Sequence, residues 1–324
     1  MSALLEVRDL SVEYRTGAGV LRAVDDLAFT IDRGETIAIV GESGSGKSTA
    51  ALALLRLLPD PPGRIVAGEI VFAGRNLAAL PDDELRDVRG REVAMIFQDP
   101  LAALNPIQTI GAQIVEMLRR HRRISALAAE HRAVEMLGLV GMPSPEQMFA
   151  RYPHQLSGGM RQRAMIGIAL MCHPQLLVAD EPTSALDVTV QAQVLELLAS
   201  LKRRLGMALL LITHDLAVVA EIADRVVVMY GGRKVEEGPV RAVFAAPRHP
   251  YTMALLDASR IELSAEGYLA EIPEPMPSAP PGVGCSFAPR CPRAVAKCLA
   301  AAPALEDAGP ERKVACFRAA ENVR

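Results

Sequence analysis

The sequence predicts an α/β protein built on a parallel sheet, and three observations carry that prediction. Residues 35–40 (ETIAIV) form a short apolar, β-branched run; a glycine-rich stretch follows; residues 48–58 (STAALALLRLL) then have helical composition. Strand, glycine turn and helix together open an α/β unit. Strand-like runs return at residues 175–180 (QLLVAD), 208–214 (ALLLITH) and 224–238 (DRVVVMYGGRKVEEG), separated by helical stretches such as VQAQVLELLASLKRRL.

The remaining elements follow in order. Ahead of residue 35 lie two β-type runs, LLEVRDLSVEY and AVDDLAFTI. From about residue 100 to 170 the pattern turns helical: QTIGAQIVEMLRRH and AEHRAVEMLGLV repeat apolar residues every three or four positions, which predicts an inserted helical layer. After Gly238 the strand–helix alternation is expected to stop. Residues 272–281 (IPEPMPSAPP) read as a proline-rich linker or extended arm. No internal repeat is visible.

Bulk properties exclude several classes. With 324 residues the chain suits one large domain plus an extension, or two domains. A net charge of −3 offers no general reason to expect nucleic-acid binding, and Arg119, Arg120, Arg122 and Arg123 read as a solvated helix face. The opening MSALLEVRDLSVEY carries acids and no long apolar block, so it is not a signal peptide. No window offers roughly 18 apolar residues in a row, so no membrane span is expected. An odd cysteine count without a secretion signal argues against a disulfide framework and for the cytoplasm.

Three motifs carry chemistry. Gly41-Glu-Ser43-Gly44-Ser45-Gly46-Lys47-Ser48 fits G-x-x-x-x-G-K-[ST], with Thr49 next in the helix. Its glycines let backbone N–H groups turn toward phosphate oxygens, and the helix that follows adds its positive end. Lys47 supplies charge to the β- and γ-phosphates, and Ser48 a hydroxyl for Mg²⁺. The run Leu176-Leu-Val-Ala-Asp180-Glu181 is a buried strand ending in acids. Asp180 is placed to hold Mg²⁺ and Glu181 to polarise an attacking water. The third motif is Leu156-Ser157-Gly158-Gly159-Met160-Arg-Gln-Arg163, glycines opening a helix.

These motifs together resemble the ATP-binding subunits of ABC transporters. The resemblance spans about residues 4 to 245. It implies a P-loop NTPase (RecA-like) core with an antiparallel β subdomain and an inserted helical subdomain, plus a small cysteine-containing C-terminal extension. It places two such subunits around two ATP molecules, each held between one subunit's phosphate loop and the other's Ser157, Gly158 and Gly159. It implies that Gln98 senses the γ-phosphate and Mg²⁺ and couples to the membrane subunit. Asp187, in SALD, lies in a loop crossing the dimer; His214 contacts the γ-phosphate; Tyr14 stacks on adenine. The implied reaction is phosphoryl transfer from ATP to water, with Glu181, His214, Gln98 and Lys47 catalytic.

IFQDPLAALNPIQTIGAQI, ALDVTVQAQVLELL and PRHPYT are similar to the peptide/nickel importer branch, and LSGGMRQR to its D-type subunit. The implied partners are two membrane permease subunits, a second, paralogous ATPase subunit and, indirectly, an extracytoplasmic substrate-binding protein, with no nucleic acid. The implied place is the cytoplasmic face of the inner membrane. Expected domains are 1–250 for nucleotide binding, with the helical subdomain at about 100–170, and 251–324 for the extension. The competing expectation is a soluble ABC ATPase of repair or regulation with a redox-sensing metal tail.

Four of the five cysteines lie in the tail, as Cys285-x5-Cys291-x6-Cys298-x17-Cys316. This is neither a usual zinc spacing nor the ferredoxin run. Spacing alone leaves zinc and an iron–sulfur cluster open as ligands of four soft thiolates. The resemblance to peptide-importer subunits implies a [4Fe–4S] cluster on Cys285, Cys291, Cys298 and Cys316. Arg290, Arg293 and Lys297 are expected to offset its negative charge, and Cys172 reads as a core residue.

Overall fold

The computed structural model describes residues 3–17, 19–184, 186–259 and 283–322. The proline-rich stretch 272–281 lies outside them. The chain runs β1 (Leu5–Thr16), β2 (Gly19–Ile31), β3 (Thr36–Val40), α1 (Lys47–Leu54), β4 (Gly63–Phe72), β5 (Arg75–Asn76), α2 (Asp82–Val88) and β6 (Val93–Ile96). Helices follow: α3 (Pro100–Ala103), α4 (Ile110–His121), α5 (Ala126–Leu139), α6 (Pro145–Phe149) and α7 (Gly158–Leu170). Then come β7 (Leu176–Asp180), α8 (Val188–Leu205), β8 (Ala208–Ile212), α9 (Leu216–Ile222), β9 (Arg225–Tyr230), β10 (Arg233–Pro239), α10 (Val240–Ala245) and α11 (Pro250–Ser259). Beyond residue 282 lie α12 (Ala296–Ala300), β11 (Glu306–Asp307) and β12 (Lys313–Val314).

Among the described residues the strands form two sheets. One is antiparallel in the order β2-β1-β4-β5; the other runs β11-β12-β10-β9-β3-β8-β7-β6. In the second sheet β9, β3, β8, β7 and β6 are mutually parallel. The two-residue period of a strand divides these between cores. Leu176 and Val178 of β7, and Ala208, Leu210 and Ile212 of β8, pack with α1 and the antiparallel sheet. Their neighbours Leu177, Ala179, Leu209 and Leu211 pack with the helical layer of α4, α5 and α7. Both faces are covered, which is why these strands read as unbroken apolar runs. Cys172 is buried in the helical core, and Arg119, Arg120, Arg122 and Arg123 are exposed, with Arg120 pairing Asp87 at 3.2 Å.

Side-chain caps mark the helix starts. Thr109, Ser125, Ser157, Asp187 and Asp215 each accept a backbone N–H at the head of α4, α5, α7, α8 and α9. The structure corrects the expected helix over residues 48–58: α1 ends at Leu54, because Arg56 takes a left-handed φ of 49° ahead of Pro59.

The expectation that alternation ceases after Gly238 is also corrected. β12 adds to the sheet beside β10, pairing Val314 with Glu236 and Lys313 with Glu237. Strands of two residues carry no readable alternation, so the sequence does not announce them. The tail is anchored by a buried ion pair. Glu236 is 0% exposed and accepts from Arg312 Nη2 at 2.8 Å and from the N–H groups of Arg248 (2.9 Å) and His249 (3.0 Å). Arg312 also donates to the carbonyl of Ala246 at 2.8 Å. Burial disfavours the charged imidazolium of His249, lowering its pKa to about 3, and its Nδ1 accepts from the N–H of Tyr251. Phe287 of the tail joins Tyr251, Val228 and Val243 in a third core. Arg312→Met leaves the Glu236 carboxylate buried without its guanidinium, and is expected to destabilise the chain by roughly 3 kcal/mol. Thermal unfolding checks this, and adding Glu236→Gln should recover part of the loss.

Candidate functional site

The phosphate loop leaves the carboxyl end of β3, the place where parallel α/β sheets present ligand sites. Its shape needs glycine at two contact points. Gly41 has φ 156°, and a Cβ there would lie 2.3 Å from the carbonyl oxygen of Met229. Gly46, the residue heading α1, has φ 99°, and a Cβ would lie 2.3 Å from the carbonyl of Ala23. Ser43 and Gly44 at the tip are exposed, Ser45 is buried, and Ser48 and Thr49 are half-buried in the first turn of α1.

Lys47 folds back inside the loop. Its Nζ donates to the carbonyls of Gly41 and Glu42, each at 2.7 Å, and stands 3.4 Å from Ser45 Oγ. The side chain is buried, and burial lowers its pKa against the raising fields of Glu181, Asp180 and Glu42. Ser48 Oγ donates to Asp180 Oδ1 at 2.9 Å, which joins the loop to the end of β7. Burial raises the Asp180 carboxyl, and the Ser48 hydrogen bond opposes that shift.

Glu181 follows Asp180 with a left-handed φ of 45°, a conformation that costs a non-glycine residue about 1–3 kcal/mol. Its N–H donates to the carbonyl of Ile212 at 2.9 Å, which holds the turn against β8. The turn aims its carboxylate at two of the sequence-predicted groups. Oε2 accepts from Gln98 Nε2 at 2.8 Å, and Oε1 lies 3.4 Å from His214 Nδ1. Gln98, just beyond β6, and His214, just beyond β8, thus meet at the end of β7 because parallel strands finish side by side. Lys47, Ser48, Asp180, Glu181, Gln98 and His214 form one constellation.

Other predicted residues stand elsewhere. Ser157 caps α7, its Oγ accepting from Met160 N at a long 3.4 Å, while Ser157 and Gly158 are exposed. Asp187 caps α8 through Oδ1 on Val190 N at 2.9 Å. A Cβ on Gly159 would lie 2.8 Å from Val190 Cγ1, so the two helix starts press together there. Among the described residues no hydrogen bond joins Ser157 or Asp187 to the phosphate loop. Tyr14 is half-buried on β1 over Gly63, where a Cβ would lie 2.6 Å from the ring.

The four tail cysteines line one cavity together with His249 and Phe287. Burial raises the thiols of Cys285, Cys291 and Cys316, and the backbone amides of Phe287 and Ala288, of Arg293 and of Arg318 respectively oppose that rise. Asn322 Nδ2 lies 3.6 Å from Cys316 Sγ. Among the described residues no three His, Cys, Asp or Glu side chains converge on a single ion. Arg290 makes a bidentate pair with Glu42 of the phosphate loop, at 2.7 and 3.0 Å. Lys297 lies over the Phe317 ring at 4.3 Å, and Arg293 binds Asn322 at 2.7 Å. Glu42, Tyr230 and Tyr251 were not read from the sequence as site residues, and Arg290 was read as a neighbour of the cysteines rather than of the phosphate loop; Tyr251 appeared only within the PRHPYT stretch.

Residues 24–184 match the ABC transporter family, and residues 235–298 match the oligopeptide/dipeptide transporter C-terminal region. The chain belongs to the ATP-binding subunits of ABC transporters, in their oligopeptide/dipeptide branch. It is similar to the probable peptide ABC transporter ATP-binding protein y4tR of Sinorhizobium fredii, at 50% identity over 322 residues, covering 99% of this chain and 96% of the relative. It is 50% identical to the oligopeptide transport ATP-binding protein OppD of Bacillus subtilis, covering 90% and 82%, and 48% identical to the dipeptide transport ATP-binding protein DppD of Escherichia coli, covering 97% and 96%. Among solved structures it is similar to the ATP-binding cassette MJ0796, dimeric and bound to ADP and Pi in a post-hydrolysis state. The TM-score is 0.66 at 28% identity, over 73% of this chain and 99% of that one.

Gly46→Ala forces a Cβ onto the Ala23 carbonyl in a left-handed conformation. It is expected to lower stability by at least about 1 kcal/mol and to abolish ATP binding. Denaturant unfolding and equilibrium titration with ATP check the two effects separately.

Proposed function

We propose that this chain is the ATPase subunit that powers uptake of di- and oligopeptides by an ABC importer, working peripherally at the cytoplasmic face of the inner membrane. The observation that carries the reading is the meeting of Lys47, Ser48, Asp180, Gln98, Glu181 and His214 at the strand ends. The transport names of relatives at about half identity favour an importer over the soluble repair or regulatory ATPase.

The loop N–H groups and α1 cradle the phosphates, with Gly41, Ser43, Gly44, Ser45, Gly46 and Thr49 as backbone and hydroxyl donors. Lys47 exchanges its two carbonyl partners for β- and γ-phosphate oxygens. Ser48, Asp180 and Gln98 supply the hard oxygen ligands that suit Mg²⁺, which when bound neutralises charge on the phosphates. Glu181 orients a water at the γ-phosphate and accepts its hydrogen bond, and His214 steadies the γ-phosphate. Tyr14 stacks on adenine. Ser157, Gly158, Gly159 and Asp187 serve the ATP of a second, paralogous subunit. Two permease subunits and a substrate-binding protein complete the importer. An open groove of about 1000 Å³, lined by Ala103, Asn105, Gln113, Met117 and Phe149, begins five residues after Gln98 and supports placing the membrane partner there. The domains fall at 1–250 and 251–324, the second supplying the cysteine site.

For the tail, we infer that Cys285, Cys291, Cys298 and Cys316 hold a [4Fe–4S] cluster. Four soft thiols lining one cavity suit an iron–sulfur cluster, and the backbone amides that oppose the burial-raised pKa of three of them suit its negative charge. The cluster, when bound, cross-links residues scattered over the tail.

Glu181→Gln is expected to cut phosphate release by the assembled transporter about 100-fold or more while ATP binding persists; undiminished release would remove Glu181 from the reaction. Protein purified without oxygen should contain about four irons and four sulfides per chain and absorb broadly in the visible. One zinc without sulfide would replace the cluster reading by a zinc clasp, and the absence of any metal would sink both.

A further inference from the structure

Glu42 occupies a variable position of the phosphate loop, yet it is gripped from three directions. Its N–H donates to Tyr251 Oη at 2.7 Å, and its carbonyl accepts from Lys47 Nζ at 2.7 Å. Its carboxylate takes both arms of Arg290, Nη1 to Oε2 at 2.7 Å and Nη2 to Oε1 at 3.0 Å. Two of these three grips come from beyond residue 250.

Both distant residues are fixed by their own surroundings. Tyr251 is 0% exposed, packs edge-on to Tyr230 at 4.6 Å and leans on Phe287 at 5.4 Å. The Arg290 side chain is 7% exposed. Its guanidinium donates to Tyr230 Oη at 3.3 Å and lies over the Tyr230 and Phe287 rings at 5.7 and 5.9 Å. A planar fork stacked on rings and bidentate on a carboxylate sets direction as well as charge, which a lysine cannot reproduce.

The arrangement matters because Lys47 has two duties. It now satisfies the carbonyls of Gly41 and Glu42, and the same ammonium is the loop's charge for phosphate. When it turns to a ligand, the first turn of the loop loses those two hydrogen bonds. The Tyr251 and Arg290 grips are independent of Lys47 and remain. We propose that Arg290 and Tyr251 are positioning residues for the nucleotide phosphates, holding the start of the phosphate loop in its cradle shape, so that the C-terminal segment is a working part of the ATP site. The proposal rests on residues 41–49 being the phosphate cradle.

The test is titration of the full-length chain with ATP, ADP and AMP in a Glu181→Gln background that prevents turnover. A cradle loosened before binding weakens every ligand whose phosphates it wraps. Arg290→Ala is therefore expected to weaken ATP and ADP together by about tenfold, leaving AMP unchanged. Arg290→Lys should fall between, and Glu42→Ala with Arg290→Ala should be no weaker than Arg290→Ala alone. Tyr251→Phe, which removes one oxygen and keeps the packing, should weaken ATP several-fold. It decides the matter if Arg290→Ala fails to fold. Unchanged ATP and ADP affinities in Arg290→Ala and Tyr251→Phe would overturn the proposal, as would additive losses in the double variant. Lys47→Ala separates the two levels. If it binds ATP as its parent does, the cradle assignment fails and the clamp with it. If it loses ATP while Arg290→Ala and Tyr251→Phe do not, the clamp alone fails.

Discussion

The arrangement turns on a buried ammonium. Lys47 is 5% exposed, and its hydrogen-bond partners among the described residues are two carbonyls and a hydroxyl rather than a carboxylate. Burying such a charge is costly unless something nearby balances it. Asp180, Glu181 and Glu42 supply a negative field that opposes the burial-driven fall in the ammonium's pKa. The loop is therefore poised for an anion that can replace neutral carbonyl partners, and a polyphosphate satisfies this.

That requirement explains why so many strands end at one place. β3 delivers the loop, β7 delivers Asp180 and Glu181, β6 leads to Gln98 and β8 to His214. Parallel pairing brings their carboxyl ends together, while apolar packing on both faces holds the strands in register. The left-handed turn at Glu181 is tolerated because β8 holds its N–H, and the strain is confined to the residue whose carboxylate must reach two partners.

The C-terminal segment belongs to the same economy of positions. Its β12 extends the sheet, Arg312 neutralises buried Glu236, and Phe287 completes the aromatic group around Tyr251. Arg290 precedes Cys291 directly, so the chain passes from the phosphate loop to the cysteine cavity within one peptide bond. Phe287 and His249 line the thiol cavity, and Tyr251, which leans on Phe287, accepts the N–H of Glu42 in the phosphate loop.

Residues of the phosphate loop, the acid-ended strand and the glycine signature were legible because each motif is local: spacing within ten residues sets which backbone groups and side chains can act together. The buried parallel strands were legible for the same reason, their apolar runs being contiguous. The ends of elements were less so, as at Arg56, where one left-handed residue stops α1 within an otherwise helical composition. What the sequence by itself determined is the chemistry available: a phosphate loop, hard oxygen ligands, a base and four soft thiols. Only the tertiary structure decided which of these meet. Glu42 and Arg290 lie 248 residues apart, one within the phosphate-loop motif and one beside a cysteine, and nothing local to either names the other. Their pairing exists because a two-residue strand and a ring cluster bring the tail against the loop, and contacts of that range leave no periodicity in the chain.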